Sequence, residues 1–344
     1  MRRPVVLVTG AGGEIGHGLV TRLAAEGAVI ITLDVTTLDA TLAPLASRAF
    51  TGSITDTSLL DRMLAEFEVD RVYHLAALLS TRAEFAPIGA HAVNVEGTLK
   101  LLEFAQRQGE SHGRSVVFVY PSSIAAYGTP GADRKAAIGR VREDDYLHPT
   151  TMYGCNKLYC EHLGRYYARH YKQLSADVAR RVDFRAVRLP GLISAVTTPS
   201  GGTSDYAPEM IHAAICGEEY ECFVRPDTTI PFMAMPDAVE ALLTLAAAPH
   251  AALTRTEYNL RAFNPSAADI RDVVLRACPE ASIRFKVDPK RQAIIDTWPA
   301  DLDDRAARTD WGFNPMYDFN RAVHEYLMPT IRRRYHLADR PPHD

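Results

Sequence analysis

Cysteine pairs, a surplus of positive charge and long apolar runs are all missing from this sequence. Its five cysteines form an odd set without CxxC spacing, which indicates neither a disulfide framework nor a zinc site and fits a reducing compartment. The formal net charge of −4 argues against nucleic acid as a partner, because phosphate binding needs a concentrated positive face. No run is apolar and long enough for secretion or membrane insertion, so we expect a soluble protein, which the cysteine usage places in the cytoplasm without a metal ion.

The residues that are present predict an ordinary globular chain. With 344 residues, 47% of them hydrophobic, the chain can bury a full core as one large domain or as two domains that share a cleft. Short β-branched runs alternate with amphipathic stretches, which predicts strands over PVVLVTG, AVIITLDV and residues 70–80, 114–123 and 182–194, and a long helix over 87–108. This alternation is typical of an α/β protein with a doubly wound parallel sheet, whose ligands gather at the carboxyl ends of the strands.

The turn after the first predicted strand is rich in glycine. Gly10, Gly13 and Gly16 separate this strand from a helix, and Asp34 ends the strand after that helix. A turn without side chains lets backbone N–H groups and the positive end of a helix approach a pyrophosphate. A carboxylate at position 34 can accept both ribose hydroxyls of an adenosine and would repel a 2′-phosphate, so the pattern predicts NAD as the cofactor. An ordinary tight turn with a capping acid is the structural alternative.

Tyr153 and Lys157 are four residues apart in a helical stretch, YGCNK, and therefore share one face of the helix. We expect the lysine ammonium to lower the pKa of the phenol, which would make Tyr153 a usable base near neutral pH. Ser123 closes the strand RSVVFVYPSS, where it can bond the same substrate oxygen. Such a pair also occurs by chance on surface helices, but its place after a nucleotide-binding pattern favours catalysis.

Four motifs together, TGAGGEIG, HLAA, PSSIAAYG and YGCNK, resemble the extended short-chain dehydrogenases/reductases, the group of nucleotide-sugar epimerases and dehydratases. The resemblance implies a Rossmann-type doubly wound parallel sheet that holds NAD, and a smaller C-terminal α/β domain that binds the substrate. It assigns residues 1–190 to the first domain, joined by segments near 230–260, residues 191–335 mainly to the second domain, and residues 336–344 to a tail. It also implies a homodimer.

The resemblance further implies which side chains contact the ligands. Three residues would be catalytic: Ser123, Tyr153 and Lys157. The cofactor would be contacted by Tyr153 and Lys157 and by Gly10, Gly13, Glu14, Ile15, Gly16, Asp34, Ser53, Ile54, Leu75, Ala76, Ala77, Asn94 and Pro190. The small-molecule substrate would be contacted by Ser123 and by Ser80, Gly202, Thr203, Asp205 and Trp298.

Within that family, the C-terminal half is similar to the L-threonine 3-dehydrogenases of the short-chain type, through LPGLIS, PSGGTSDYAPEM, DTTIPFMAMPDAVEALLTL and RQAIIDTWPADLDDRAARTDWGF. This similarity implies oxidation of the C3 hydroxyl of L-threonine, or of a similar 3-hydroxy amino acid, with NAD. Arg82 departs from the usual pattern and is expected to alter the pocket. Asp205 has a structural alternative as the first acid of a helix over 206–216, and Trp298 has one in core packing.

Two other functions remain open from the sequence. A nucleotide-sugar epimerase or dehydratase would use the same tyrosine and lysine with tightly bound NAD, and would need cationic contacts for a diphosphate, for which Arg225, Arg284 and Arg291 are candidates. A non-catalytic NAD-binding protein is the lesser alternative, because such proteins commonly lose the tyrosine or the lysine.

Overall fold

The computed structural model describes residues 2–199 and 201–338, and its strands are short and rich in buried β-branched residues. They are β1 (Val5–Thr9), β2 (Val29–Asp34), β3 (Arg48–Thr51), β4 (Arg71–His74), β5 (Val116–Ser123), β6 (Arg140–Val141), β7 (Val182–Leu189), β8 (Gly191–Ile193), β9 (Tyr220–Cys222), β10 (Phe232–Ala234), β11 (Glu257–Asn259), β12 (Ile283–Phe285) and β13 (Asp301–Leu302). Seven of them form a sheet in the order β11-β7-β5-β4-β1-β2-β3, and every pairing in it is parallel. The predicted doubly wound parallel sheet is confirmed.

Helices cover both faces of this sheet, and further helices of the described segments lie outside it together with three two-stranded sheets. They are α1 (Glu14–Ala25), α2 (Thr57–Glu66), α3 (Ser80–Phe85), α4 (Pro87–His91), α5 (Gly97–His112), α6 (Gly131–Ile138), α7 (Met152–Arg169), α8 (Tyr206–Cys216), α9 (Met235–Ala247), α10 (Ala267–Ala277), α11 (Pro289–Asp296), α12 (Arg305–Trp311), α13 (Phe319–Arg321) and α14 (Met328–Ala338). The helix predicted over 87–108 is interrupted, because a π-helical segment, Ala92–Glu96, joins α4 to α5.

A second core lies beside the sheet and is built mainly from the C-terminal half. Helices α8 and α10 bury its centre, with contributions from Trp298 and from the helical stretch after α13. The boundary between the two cores does not follow the chain, however. Ile124, Tyr127 and Val141 pack into the second core, whereas α9, β11 and Trp311 of α12 pack on the parallel sheet. Residues from both halves therefore meet along one cleft.

The carboxyl ends of β1, β2, β4, β5 and β7 open into this cleft. The order of the sheet reverses between β1 and β4, which is the point where ligands bind in open parallel sheets. His74 ends β4 and shows how the sheet is tied together, because its ring bonds Thr9 at 2.8 Å and Thr98 at 2.8 Å, and burial lowers its pKa to about 3. The ring is therefore neutral and structural.

The last helical stretch runs further than the sequence predicted. Helix α14 continues to Ala338, so the first three residues of the predicted 336–344 tail are helical, and the remainder of that tail lies outside the described residues. Nowhere in the described residues is there a helix with enough length and apolar character to cross a bilayer.

Candidate active site

One cavity of about 600 Å³ occupies the cleft and is lined from both cores. Of the residues predicted to contact cofactor or substrate, those that line it are Gly10, Gly13, Glu14, Ile15, Gly16, Asp34, Ser53, Ile54, Leu75, Ala76, Ala77, Ser80, Ser123, Tyr153, Lys157, Pro190, Gly202, Thr203, Asp205 and Trp298. Segments separated by up to almost three hundred residues thus line one cavity, which brings the glycine turn and residues 202–205 together.

Asn94 is the exception among the predicted cofactor contacts. It is 2% exposed and does not line the cavity. Its side-chain amide instead brackets the backbone of Leu78, accepting from the N–H at 2.7 Å and donating to the carbonyl at 3.0 Å. Asn94 therefore acts one layer behind the cavity, where it fixes the segment after β4 that does form the wall.

The glycine turn has the shape that a dinucleotide requires. A Cβ atom at Gly16 would lie 2.5 Å from the carbonyl oxygens of Gly10 and Ala11, so helix α1 can approach the turn this closely only without a side chain. Asp34 accepts the Gly12 N–H at 2.9 Å, which ties the end of β2 to the turn. The acid therefore lies beside the turn, as the fingerprint for an adenosine ribose requires, and the residues present fit NAD.

Helix α7 carries the tyrosine and the lysine, and three contacts fix its first turn. Thr151 caps the helix by accepting the Gly154 N–H at 3.0 Å, and Glu84 of α3 accepts the Met152 N–H at 2.7 Å. A side chain at Gly154 would collide with the carbonyl of Ala125 in the turn after β5. Because the helix can approach that turn so closely, Tyr153 lies on the same cavity wall as Ser123.

Lys157 is almost fully buried, at 4% exposure, in the wall of the cavity. Its Nζ donates to the carbonyl of Pro121 at 2.6 Å and lies 4.5 Å from the ring centre of Tyr120 and 5.5 Å from that of Tyr153. Burial lowers the pKa of Lys157 to about 8, so the side chain is mainly an ammonium at neutral pH and becomes neutral in mildly alkaline solution.

The predicted direction of the pKa shift of Tyr153 is wrong for the protein without ligands. Burial raises the pKa of this phenol, whereas the sequence predicted that Lys157 would lower it. The reason is geometric: the ammonium faces the Pro121 carbonyl and the two rings, while the phenol lies in a poorly solvated wall. Tyr153 is thus a protonated phenol at neutral pH in the protein without ligands.

Ser123 is held at the end of β5 without losing its donor. Its Oγ accepts the Ala125 N–H at 3.1 Å, which leaves the hydroxyl proton for a ligand. The preceding Ser122 donates to Glu161 at 2.5 Å, and Glu161 forms a bidentate ion pair with Arg188 of β7, at 2.9 and 2.6 Å. Since Glu161 lies one turn after Lys157, this buried pair locks α7 against β5 and β7.

Residues 202–205 of the loop 201–205 line the cavity, and the loop contacts segments of both halves of the chain. On one side Thr81 donates to the Gly201 carbonyl at 2.8 Å, and Thr203 donates to Ser80 at 3.3 Å. On the other side Arg291 donates to the Gly202 carbonyl at 2.7 Å, while Asp205 accepts the Gly202 N–H at 2.6 Å. Asp205 thus helps to shape the loop and stands at the start of α8, where the structural alternative placed it, while its contact with a substrate stays a prediction.

Trp298 packs in the second core and also lines the cavity, while its contact with a substrate stays a prediction. Its ring is 4% exposed, and its indole N–H has no hydrogen-bond partner in the part of the chain that the structure describes. Sequence reasoning did not assign several other wall residues: Gly12, Val35, Thr36, Leu78, Leu79, Val93, Ser194, Thr197, Ser204, Pro208 and Met235. Most lie inside or directly after a motif quoted from the sequence, which is the signal that could have identified them.

The cavity wall contains few cations. The three arginines considered for a diphosphate are absent from it and have partners elsewhere: Arg225 pairs with Asp296 at 2.8 Å, Arg284 with Glu219 at 3.2 Å, and Arg291 with the Gly202 carbonyl. Arg82 and Lys157 are the lining residues that carry positive charge. Among residues 2–199 and 201–338, no three His, Cys, Asp or Glu side chains are grouped so as to hold a metal ion.

Known proteins resemble this chain over both cores. The profile of the NAD dependent epimerase/dehydratase family matches residues 6–260. An uncharacterized epimerase/dehydratase of Staphylococcus aureus (strain USA300) is 34% identical over 319 residues, which cover 91% of this chain and 92% of that protein. A GalE-like L-threonine dehydrogenase from Cupriavidus necator, in its holo form, has a TM-score of 0.83 at 34% identity and covers 95% of this chain and 100% of its own. L-threonine 3-dehydrogenase from Trypanosoma brucei has a TM-score of 0.84 at 33% identity, with 99% of both chains covered.

Proposed function

Because the chain belongs to the NAD dependent epimerase/dehydratase family, as its motifs predicted, we propose that it oxidises the C3 hydroxyl of L-threonine, or of a similar 3-hydroxy amino acid, with NAD. Family membership and dehydrogenase neighbours make it an NAD-dependent enzyme of oxidoreductase type. One observation supports the finer proposal: the cavity lined by the glycine turn and by Ser123, Tyr153 and Lys157 is also lined by the small polar residues 202–205, which suit a compact amino acid. The threonine dehydrogenases that resemble the chain support this substrate.

NAD is the cofactor that the residues favour. Gly16 and Gly12 leave the backbone bare at the turn, and Asp34 stands where a 2′-phosphate would meet its carboxylate, with Val35 and Thr36 rather than an arginine beside it. When bound, NAD supplies the hydride acceptor and a positively charged nicotinamide ring. Lys157 reaches the same wall of the cavity, so it is the side chain proposed to bond the nicotinamide ribose.

The protein's own part in the reaction is proton transfer and orientation. Tyr153 removes the proton from the C3 hydroxyl at its phenol oxygen, and Ser123 holds the same substrate oxygen with its free hydroxyl proton. Since burial raises the pKa of Tyr153, the phenolate needs positive charge nearby. Lys157 is mainly charged at neutral pH and supplies part of that charge. We therefore propose that the base forms in the loaded enzyme and that the ligand-free protein keeps the phenol protonated.

A nucleotide-sugar substrate is less compatible with the wall. A diphosphate requires several cationic or N–H contacts, and the three arginines available for that purpose are held in other interactions. A purely non-catalytic role is also disfavoured, because both Tyr153 and Lys157 are retained and both line the cavity.

A spectrophotometric panel tests the function directly. The purified protein with NAD is offered L-threonine, its diastereomer, L-serine, 3-hydroxybutyrate and UDP-sugars, and NADH formation is followed. We expect absorbance to rise with L-threonine or a close 3-hydroxy analogue. Activity confined to UDP-sugars, or no NADH with any substrate despite NAD binding, would contradict the proposal.

The role of Tyr153 has a matched control on the same helix. Tyr153→Phe should lower kcat by about 10² or more, the usual scale for a positioned acid-base group. Tyr159→Phe removes the same hydroxyl from a ring that is absent from the cavity and keeps the aromatic surface of that residue, so it should leave kcat unchanged. Near-wild-type turnover in Tyr153→Phe would exclude it as the base.

The protein is proposed to act as a homodimer. Helices α4, α5 and α7 lie against one another and expose large apolar side chains: Ile88 is 87% exposed, Tyr159 51% and Leu99 41%. Tyr159 and Tyr166 lie on one exposed face of α7. A second copy of the chain would cover this face, as the family resemblance implies.

A further inference from the structure

Arg82 is the residue of the cavity wall that the proposed reaction leaves unused. It lies in the last turn of α3 and is exposed, which places it at the mouth of the cavity that it helps to line. Within residues 2–199 and 201–338 its guanidinium makes neither a hydrogen bond nor an ion pair. The nearest acid along the helix, Glu84, is turned away to the Met152 N–H at 2.7 Å. A guanidinium thus faces the cavity without a protein carboxylate to neutralise it.

The groups around Arg82 are hydrogen-bond donors suited to a carboxylate. Ser80 begins the same helix and is joined to Thr203 of the loop by a hydrogen bond of 3.3 Å. Thr81 reaches the same loop through the Gly201 carbonyl at 2.8 Å, so α3 and the loop are in direct contact. Trp298 adds an indole N–H that has no partner in the described chain. Hydroxyl, indole and guanidinium donors from three segments therefore line the same cavity, and contacts between α3 and the loop bring the hydroxyl donors beside the helix of Arg82.

The charges of the cavity wall also favour a role for Arg82 in binding a carboxylate. Glu14 and Asp205 both line it, and the two carboxylates are close enough for Asp205 to add to the effect of burial in raising the pKa of Glu14. The other cation, Lys157, is buried and bonded to the Pro121 carbonyl. A substrate carboxylate would thus meet repulsion from two acids unless a further positive charge lay nearby. Arg82 is the lining residue placed to supply it.

We propose that Arg82 anchors the substrate carboxylate, so that the enzyme selects 3-hydroxy acids with a free carboxylate over neutral alcohols of the same shape. This inference rests on the proposed dehydrogenase function and deepens it. The planar guanidinium can bind both carboxylate oxygens, while the acids Glu14 and Asp205 favour a substrate that also carries an ammonium group. The recognised class is therefore the zwitterionic 3-hydroxy amino acid.

Comparison of an acid with its amide isolates this contact. Initial rates are measured for wild type, Arg82→Gln and Arg82→Lys with L-threonine and with L-threonine amide, which lacks the negative charge. For L-threonine, Arg82→Gln should raise KM and lower kcat/KM about 10- to 100-fold, the scale of one hydrogen bond to a charged group, with little change in kcat. For the amide the change should stay below about 3-fold, and Arg82→Lys should recover part of the loss. Arg3→Gln removes an equal charge from an exposed residue that is absent from the cavity and serves as the control.

Calorimetric titration of the protein–NADH complex with the same two ligands gives a readout that needs no turnover. Tighter binding of the acid than of the amide in wild type, lost in Arg82→Gln and kept in Arg3→Gln, supports the anchor. Equal losses for acid and amide, or no loss for either, overturn it while leaving an active wild type and the proposed dehydrogenase intact. A wild type that neither oxidises nor binds any 3-hydroxy acid overturns the dehydrogenase, and the anchor with it.

Discussion

Lys157 offers a stability test of the buried charge on which the proposed chemistry depends. The substitution Lys157→Met keeps an unbranched side chain of similar length and removes the ammonium. Burial lowers the pKa of Lys157 from 10.5 to about 8. That difference corresponds to about 3 kcal/mol by which burial of the charge destabilises the folded protein wherever both states carry the proton.

The direction in which the stability difference changes with pH follows from proton binding. Below a pH of about 8 folded and unfolded chains are both protonated at Lys157, and the full penalty applies. Between about 8 and 10.5 the folded protein releases this proton while the unfolded chain retains it, so the stability of wild type rises relative to a variant without the group. From pH 7 to about 9.5 the free energy of unfolding of wild type should rise by about 2 kcal/mol relative to that of Lys157→Met.

Urea unfolding followed by circular dichroism, without cofactor, measures this difference at several pH values. Lys286→Met is the control, because it removes an ammonium whose side chain is 71% exposed. The free energies of unfolding of wild type and Lys286→Met should differ by a constant amount as the pH changes. The difference between wild type and Lys157→Met should grow with pH. Lys157→Met should also lose activity at neutral pH, since Tyr153 loses a positive neighbour. A constant stability difference between wild type and Lys157→Met across this range would show that the buried ammonium is not destabilised, and the reasoning would fail.

Two further predictions concern the cofactor turn and the exposed helices. Gly16→Ala should weaken NADH binding at least about 10-fold, because its Cβ would lie 2.5 Å from two carbonyl oxygens. Gly89→Ala is the control and should bind NADH normally, because the atom nearest to its Cβ would be 4.0 Å away. Fluorescence titration compares the two variants, and normal NADH binding by Gly16→Ala would contradict the role of the turn. In sedimentation, wild type should behave as a dimer, and the double variant Ile88→Asp with Tyr159→Asp should be a monomer. Val287→Asp, which changes another exposed apolar side chain (41% exposed), should remain a dimer. A monomeric wild type would refute the proposed dimer.

Much of the fold could be predicted because its signals are local. The β-branched runs, the glycine turn and the four-residue spacing of Tyr153 and Lys157 each depend on neighbours within one turn or strand. The predicted helix at 206–216 also agrees with α8, Tyr206–Cys216, where the glycines before it and Gly217 after it mark its ends. The interruption at Ala92–Glu96 could not be predicted in this way, because its apolar periodicity resembles that of a continuous helix.

The partners of individual side chains were less predictable. Arg291 was considered for a diphosphate, yet it holds the Gly202 carbonyl across 89 residues of sequence. Asn94 belongs to a cofactor motif but bonds the Leu78 backbone. In both cases the side chain's chemistry is evident from the sequence, while its partner depends on which distant segment packs beside it.

The sequence by itself determined the parallel sheet, the glycine turn with its acid, and the helix face that carries the phenol and the ammonium, because periodicity and residue type act over short distances. Only the tertiary structure decided the protonation of that face. The pKa of Tyr153 is raised and that of Lys157 lowered because segments from both halves of the chain exclude water from them and turn the ammonium toward the Pro121 carbonyl. Desolvation is a property of the packed cleft, and no local pattern of residues contains it.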